Sequence, residues 1–502
     1  MKEIESIQLD RNSLVPLYRQ LFIKIEDMIK KGVLKEGMRL PAIRKLAKQL
    51  DVNTVTVVNA YKLLEQKKYI YSRIGSGYYI AYKKDDRYDR DEDIAMPEGL
   101  DFEDEDIQQM SRGQITLPSY ALNFASATPT PDLFPVEDFK RVLNEVLDRD
   151  KGQAFGYHEV SGYMPLRKTI AKFLNENYLI SVHPKDIQII SGAQQGIDII
   201  AKALIQPGDV VIMENPTYTG AVAVFRSRKA NIIGVDIEQD GINVEMLKRC
   251  VEKYHPKLVY LMPNYQNPTT YCYSEEKKKY LLKMALDNNF YIIEDDLLSD
   301  LSFVGNKKEQ TLKRMDKNNR VLYIKSFSKI LMPGLRIGFL IAPSQVFKDI
   351  LMAKHATDIS SSGLIQRALD LYLQKGAWGK HLEYMKDVYE ERYNIVIKEA
   401  SKLKELGVDF HVPNGGLNLW LTLPEGTSGS RLYFECVKQN VLIVPGKIFH
   451  VDGAHQYDRN VRISFAAVYP NEIEKGMGII YNCINKLMNK YDEQITYYTP
   501  LM

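Results

Sequence analysis

Cysteine is scarce: Cys250, Cys272, Cys436 and Cys483 lie scattered through 502 residues, with no Cys-x-x-Cys pair and no metal-like spacing to histidine. A disulfide framework and a thiolate metal site are thereby excluded, and the four read as reduced thiols of a cytoplasmic protein. Long apolar runs are missing too. No stretch of 18 or more uncharged apolar residues occurs, so nothing reads as a membrane span. The start, MKEIESIQLD, has no apolar core and does not read as a secretory signal. No internal repeat is visible.

What is present is ordinary for a globular protein, with 45% hydrophobic and 26% charged residues. The length suits a small module followed by one large domain. A net charge of +3 conceals an uneven distribution. Residues 1–82 hold 15 Lys/Arg against 8 Asp/Glu, about +7, which leaves about −4 for the rest. From Asp85 to Asp106, 12 acidic residues meet 2 basic ones with almost no apolar periodicity. Such a segment cannot bury enough surface to fold by itself and reads as a self-repelling tether. The expected division is a basic head over 1–82, an acidic linker over 83–119 and a large body over 120–502.

In the head, Pro16 opens a helical pattern carrying Leu17, Leu21, Ile25, Met28 and Ile29 on one face. Pro41 starts a second helix with Ile43, Leu46, Ala47 and Leu50 inward. After a break at Asp51–Asn53, a third places Val57, Ala60, Tyr61 and Leu64 at i, i+3, i+4, i+7. Alternating segments Tyr69–Ser72 and Tyr78–Tyr82 flank Gly75-Ser76-Gly77, a hairpin tip. Three helices and a glycine-tipped hairpin describe a winged helix-turn-helix, whose third helix enters the major groove while basic residues hold phosphates.

In the body, DIQIISGAQQGIDIIAKALI reads as strand, small-residue turn and helix. Free amides at Gly192-Ala193-Gln194 and the positive end of the helix dipole suit a phosphate dianion, although any strand-turn-helix looks similar. SFSKILMPGLRIGFL is more specific. Lys329 sits among Ser326, Ser328 and Arg336. A lysine that condenses with an aldehyde needs cationic or desolvating neighbours, and the serines and arginine are phosphate donors. The bland alternative is a surface lysine beside a turn. YIIEDDLLSD ends a buried strand in two carboxylates. Asp295 there suits a pyridine nitrogen, while helix capping or Mg²⁺ binding are the alternatives. PNYQNPTT supplies Asn267 as a donor to a phenolic oxygen, and ENPTYTG supplies Tyr218 as a stacking face.

The head string LPAIRKLAKQLDVNTVTVVNAYKLLEQKKYI with RIGSGYYI resembles the GntR-type winged helix over some 65 residues. The resemblance implies phosphate contacts from Arg44 and the wing at Gly75, Ser76 and Gly77. It implies base or backbone contacts from Asn53, Thr54, Thr56 and Asn59. Ala42 and Thr54 replace the family's usual serine and arginine, so base preference is unreadable. From about residue 120 the chain resembles the fold-type-I aminotransferases, an α/β fold with a mostly parallel sheet and a smaller C-terminal α+β lobe. Head and body together resemble the MocR/GabR-type regulators, which bind pyridoxal 5'-phosphate.

By that resemblance Lys329 bonds the cofactor's aldehyde, Asp295 pairs with its ring nitrogen and Asn267 meets its phenolic oxygen. Tyr218 stacks on the ring. Ser326, Arg336 and the Ala193–Gln194 amides hold the phosphate, joined by Tyr157 reaching the neighbouring subunit. Arg462 in NVRISFAA matches the arginine that clamps an effector α-carboxylate, and Gly415–Asn418 lines the small-lobe side. Two departures stand out. The tyrosine usual two or three positions after the ring aspartate is replaced by Leu297 and Leu298. Gly220 stands where GABA-responsive members carry a second arginine. The expectation is a regulator that binds double-stranded operator DNA, senses an amino acid, a related amine or pyridoxal phosphate itself, and forms a homodimer, with heads that could swap. The competing reading is an aminotransferase with a DNA-binding appendage. A cofactor-free body conflicts with the retained Lys329, Asp295 and Arg336.

Overall fold

The computed structural model describes residues 17–30, 33–35, 37–66, 69–73, 77–81, 121–304, 310–451 and 458–498, together with Ile7 and Leu9. The linker expected over 83–119 and the wing-tip residues Gly75 and Ser76 lie outside these. The chain separates into two compact units, Met1–Pro97 and Glu98–Met502.

The first unit follows the expected pattern: α1 (Leu17–Lys30), α2 (Ile43–Gln49), α3 (Thr54–Gln66), then β1 (Ile70–Arg73) paired antiparallel with β2 (Gly77–Ile80). Leu21 and Ile25 of α1, Leu46 of α2, Val57 and Leu64 of α3 and Ile80 of β2 are all buried in one cluster. The second helix begins at Ile43, two residues later than its proline suggests. The reason is that Pro41 anchors the chain ahead of the helix: its carbonyl accepts a 2.8 Å hydrogen bond from the buried Tyr61 hydroxyl of α3. That bond, together with the Leu46, Ala47 and Val57 contacts, locks α2 against α3.

In the second unit an eight-stranded sheet runs in the order β4-β11-β10-β9-β8-β5-β6-β7. Its members are β4 (Ile187–Ile190), β5 (Val210–Asn215), β6 (Asn231–Glu238), β7 (Gly241–Ile242), β8 (Leu258–Leu261), β9 (Tyr291–Asp296), β10 (Val321–Ser326) and β11 (Gly338–Ile341). Only β11 and the short β7 run against the others. Residues of β4, β8, β10 and β11 are buried without alternation, the pattern of a sheet covered on both faces. One apolar cluster lies on each side. The 26-residue helix Ala377–Lys402 leads into a smaller lobe. There β12 (Asp409–Phe410), β13 (Asn418–Thr422), β16 (Asn460–Ser464) and β15 (Val444–Pro445) form an antiparallel sheet in that order. The entering strand β3 (Leu122–Asn123) pairs in parallel with β14 (Val441–Leu442), tying the start of this unit to the smaller lobe.

Candidate functional site

The parallel strands all point their carboxyl ends the same way, and in open α/β sheets that edge is where ligands bind. Here β4 is followed by Ala193 and Gln194, β5 by Tyr218, and β8 by Asn267. Asp295 is the penultimate residue of β9 and Ser326 the last of β10, with Lys329 just beyond. Residues far apart in sequence therefore meet around one cavity of about 240 Å³, which Leu297, Leu298, Arg336, Asn418 and Arg462 also line.

One wall gathers groups suited to an anion. The helix Ala193–Leu204 begins after Gly192, whose φ of +86 and lack of side chain let the Arg336 guanidinium approach. A Cβ at Gly192 would stand 3.0 Å from Arg336 Nη2. Arg336 Nη2 donates to the Ser191 carbonyl at 3.0 Å, which holds the guanidinium beside the helix N-terminus. Ser326 Oγ accepts from the Ser328 amide at 3.2 Å and lies 3.1 Å from Ser328 Oγ. Amides, hydroxyls and a guanidinium thus converge where an anion gains most.

The opposite wall carries Arg462, buried and without a carboxylate partner among the described residues. Its Nη1 donates to Asn267 Oδ1 at 3.0 Å and its Nη2 to the Ala125 carbonyl. Because a guanidinium can only donate, this bond turns the Asn267 amide nitrogen into the free end of that side chain. Burial pushes Arg462 down to about 10, so it stays cationic at neutral pH. Tyr218 donates to Gln194 Oε1 at 3.1 Å, and Gln194 Nε2 donates to the Gly220 carbonyl at 3.0 Å. Gly220 is also packed: a Cβ there would come within 2.5 Å of the Tyr218 ring and 2.6 Å of Gln194 Oε1. A second arginine at this position is incompatible with the observed seat of Tyr218.

Residues 121–480 match the family described as aminotransferase class I and II, and residues 17–80 match the bacterial regulatory proteins of the gntR family. The chain belongs to the class I and II aminotransferase family. Similar structures include the kynurenine aminotransferase of Pyrococcus horikoshii in complex with PMP, at 30% identity and a TM-score of 0.70, covering 78% of this chain and 95% of that one. Relatives that carry a head as well are similar along most of their length. The uncharacterized HTH-type transcriptional regulator YdcR of Escherichia coli is 32% identical over 86% of this chain and 92% of its own. The probable rhizopine catabolism regulatory protein MocR of Rhizobium meliloti is 28% identical over 84% and 82%. A GntR-type head on an aminotransferase-family body makes this chain a MocR-type transcriptional regulator.

Members of the aminotransferase family use pyridoxal phosphate, and the residues present fit it. Asp295 is 1% exposed, and its Oδ2 accepts from Tyr260 at 2.7 Å while Oδ1 is buried with no partner. A buried carboxylate oxygen left open beside the cavity is the complement of a protonated ring nitrogen. Burial, reinforced by neighbouring Asp296, pushes Asp295 up to about 7. Burial also pulls Lys329 down to about 8, helped by the charges of Arg462 and Arg336 and opposed by Asp295. With Lys329 counted as charged, three cations face one carboxylate, a balance that suits a phosphate and a carboxylate together.

Tyr157 is expected at the phosphate of the neighbouring subunit, not in this chain's own cavity. It is 87% exposed and does not line that cavity. In the GntR-type head, Arg44 is exposed on α2, and Asn53 and Thr54 are exposed at the start of α3. Thr56 and Asn59 are half-buried one turn apart on α3. Asn53 has a structural duty: its Oδ1 caps α3 by accepting from the Val55 amide at 3.0 Å. Only its amide NH₂ remains for a base or phosphate. Gly77 starts β2 and is exposed. Of the two acids ending β9, Asp296 turns to the other face, where it pairs with Lys325 at 3.2 Å and accepts from Tyr323 at 2.6 Å. The two acids thus face opposite sides of the sheet, and no group of three or more His, Cys, Asp or Glu side chains that could hold a metal ion occurs among the described residues. Nor is any described helix long and apolar enough to cross a membrane. Tyr260 was not among the expected site residues. Nothing local marks it, because its link to Asp295 arises only from the pairing of β8 with β9.

Proposed function

We propose that this regulator senses a small amine or α-amino acid, or pyridoxal phosphate itself, and converts occupancy of the body into a change in DNA affinity of the head. The observation that carries the reading is one cavity lined by Lys329, Asp295, Asn267 and Arg462 in a chain whose other unit is a winged helix. When bound, pyridoxal phosphate supplies an aldehyde open to amines and a ring that withdraws electrons. Lys329 contributes a nucleophilic nitrogen, because with its proton affinity lowered to about 8 a usable fraction is neutral at physiological pH. Asp295 would keep a proton on the ring nitrogen through its open Oδ1. Arg336, the serines and the helix N-terminus would hold the phosphate, and Tyr218 would cover the ring. Arg462 would seat an effector carboxylate, with Asn267 fixing its angle. Tyr157, being exposed, is free to reach a partner's phosphate in a homodimer. In the head, Arg44 and the wing would hold phosphates while Thr56 and Asn59 face the groove. A cytoplasmic setting accords with these roles.

Turnover is expected to be slow. Leu297 and Leu298 occupy the wall where a tyrosine would donate to the phenolic oxygen, which leaves Asn267 as the side-chain donor there. Missing one such bond costs roughly 1–3 kcal/mol of charge stabilisation, or about one to two decades in rate. A sensor benefits from that loss, since a long-lived complex leaves time for a conformational response. The test is a gel shift on the chain's own upstream DNA, with and without pyridoxal phosphate and candidate amines, beside a turnover assay. Effector-dependent DNA affinity with slow or absent turnover is expected. Many turnovers per second with DNA binding indifferent to cofactor and amine would make the protein an aminotransferase with an appended head.

A further inference from the structure

Strand β8 lies beside β9 with Tyr260 opposite Ile293. Side chains alternate along a strand, so Asp295 shares a face with Ile293 and sits diagonally across from Tyr260. A tyrosine spans that diagonal. Both residues are buried, Tyr260 completely, and its ring is packed edge-on against Phe225 at 6.4 Å. Its hydroxyl donates to Asp295 Oδ2 at 2.7 Å. Among the charged groups nearby, Asp296 turns to Lys325, and Glu214 is bound by Tyr273, Gln266 and the Met262 amide. The Tyr260 hydroxyl is therefore the side-chain donor to the ring aspartate.

We infer that Tyr260 is a positioning residue for the cofactor: by holding Oδ2 it aims the unpartnered Oδ1 at the ring nitrogen and keeps the proton on that nitrogen rather than on the carboxylate. The inference rests on Asp295 being the partner of the ring nitrogen. A carboxylate that receives a hydrogen bond is the weaker base, so the shared proton stays on the ring. Without the donor, Asp295 becomes the stronger base and draws the proton toward itself. Burial raises Asp295 to about 7 while the Tyr260 hydrogen bond works against it, so losing that bond makes the carboxylate a stronger base still.

The test uses full-length protein loaded with pyridoxal phosphate labelled with ¹⁵N in the ring, and reads the ring-nitrogen chemical shift. Tyr260→Phe keeps the packing and removes only the hydroxyl. Its shift should move from the protonated position toward that of neutral pyridine, and cofactor retention should weaken roughly ten- to hundred-fold, as expected for one hydrogen bond to a charged acceptor. A fluorinated tyrosine at 260, a stronger donor, should move the shift the opposite way and restore retention. Asp295→Asn marks the neutral end of the scale. If Asp295→Asn leaves the wild-type shift unchanged, the ring-partner reading itself fails. If Asp295→Asn moves the shift but Tyr260→Phe and the fluorinated variant do not, Tyr260 is only packing and the inference is overturned.

Discussion

Lys329 is useful only when neutral, and its surroundings state how often that is. Burial and the charges of Arg462 and Arg336 bring it from the ordinary 10.5 to about 8. At pH 7 about one molecule in eleven then carries the neutral amine, against roughly three in ten thousand for an unperturbed lysine, a gain of about 300-fold. The rate of covalent attachment should therefore rise about tenfold per pH unit below 8 and level off above it. Stopped-flow mixing of cofactor-free protein with phosphate-free pyridoxal reads this directly, since that aldehyde adds no anion to the pocket. Borohydride trapping and peptide mapping identify the lysine. The same shift has a consequence for folding. A lysine whose folded value lies below its unfolded value binds fewer protons when folded, so stability rises with pH between about 8 and 10.5. Below pH 8 the full cost is present, on the order of 3 kcal/mol. Lys329→Met should accordingly stabilise the cofactor-free protein at pH 7 and lose that advantage above about pH 10. An attachment rate still climbing through pH 9, or a Lys329→Met variant less stable than wild type at pH 7, would refute the electrostatic account.

Arg462→Ala removes the expected carboxylate seat and should weaken α-amino-acid binding to the loaded protein by about 1.5–3 kcal/mol, measured by calorimetry. Tight binding of GABA, undiminished in the same variant, would contradict the seat. Gly220→Ala forces a methyl group into the Tyr218 ring and Gln194, so the ring must leave its place; cofactor retention should drop several-fold, and unchanged retention would show that Tyr218 does not cover the cofactor. In the head, Arg44→Ala should weaken binding to all DNA sequences alike and reduce the salt slope by about one. Unaltered affinity across salt would remove Arg44 from the interface.

Much of this protein was legible along the chain because its signals are local. The 3.6-residue apolar spacing of α1 and α3, the glycine-tipped hairpin and the short string around Lys329 each lie within one element or one turn. The identity of the body follows from a few such strings, since the chemistry they serve demands particular residue types at strand ends. Boundaries were less legible: α2 starts after Pro41 because Tyr61, twenty residues away, holds that proline's carbonyl. Asn53 read as a DNA contact, and the fold also spends it on capping α3.

Only the tertiary structure could decide the electrostatics of the cavity. Asp295 and Asp296 are adjacent and chemically alike in sequence. The alternation of β9 sends one to the cavity with an open oxygen and the other to Lys325 on the opposite face. Gly220 looked like a missing arginine, whereas packing shows a place already filled by Tyr218 and Gln194. Tyr260 could not be read at all, for its partner is 35 residues away on the next strand. Sequence determines which groups are available and which elements carry them. Burial, strand register and the distances between charges set how strongly each group holds its proton, and those quantities exist only once the sheet has assembled.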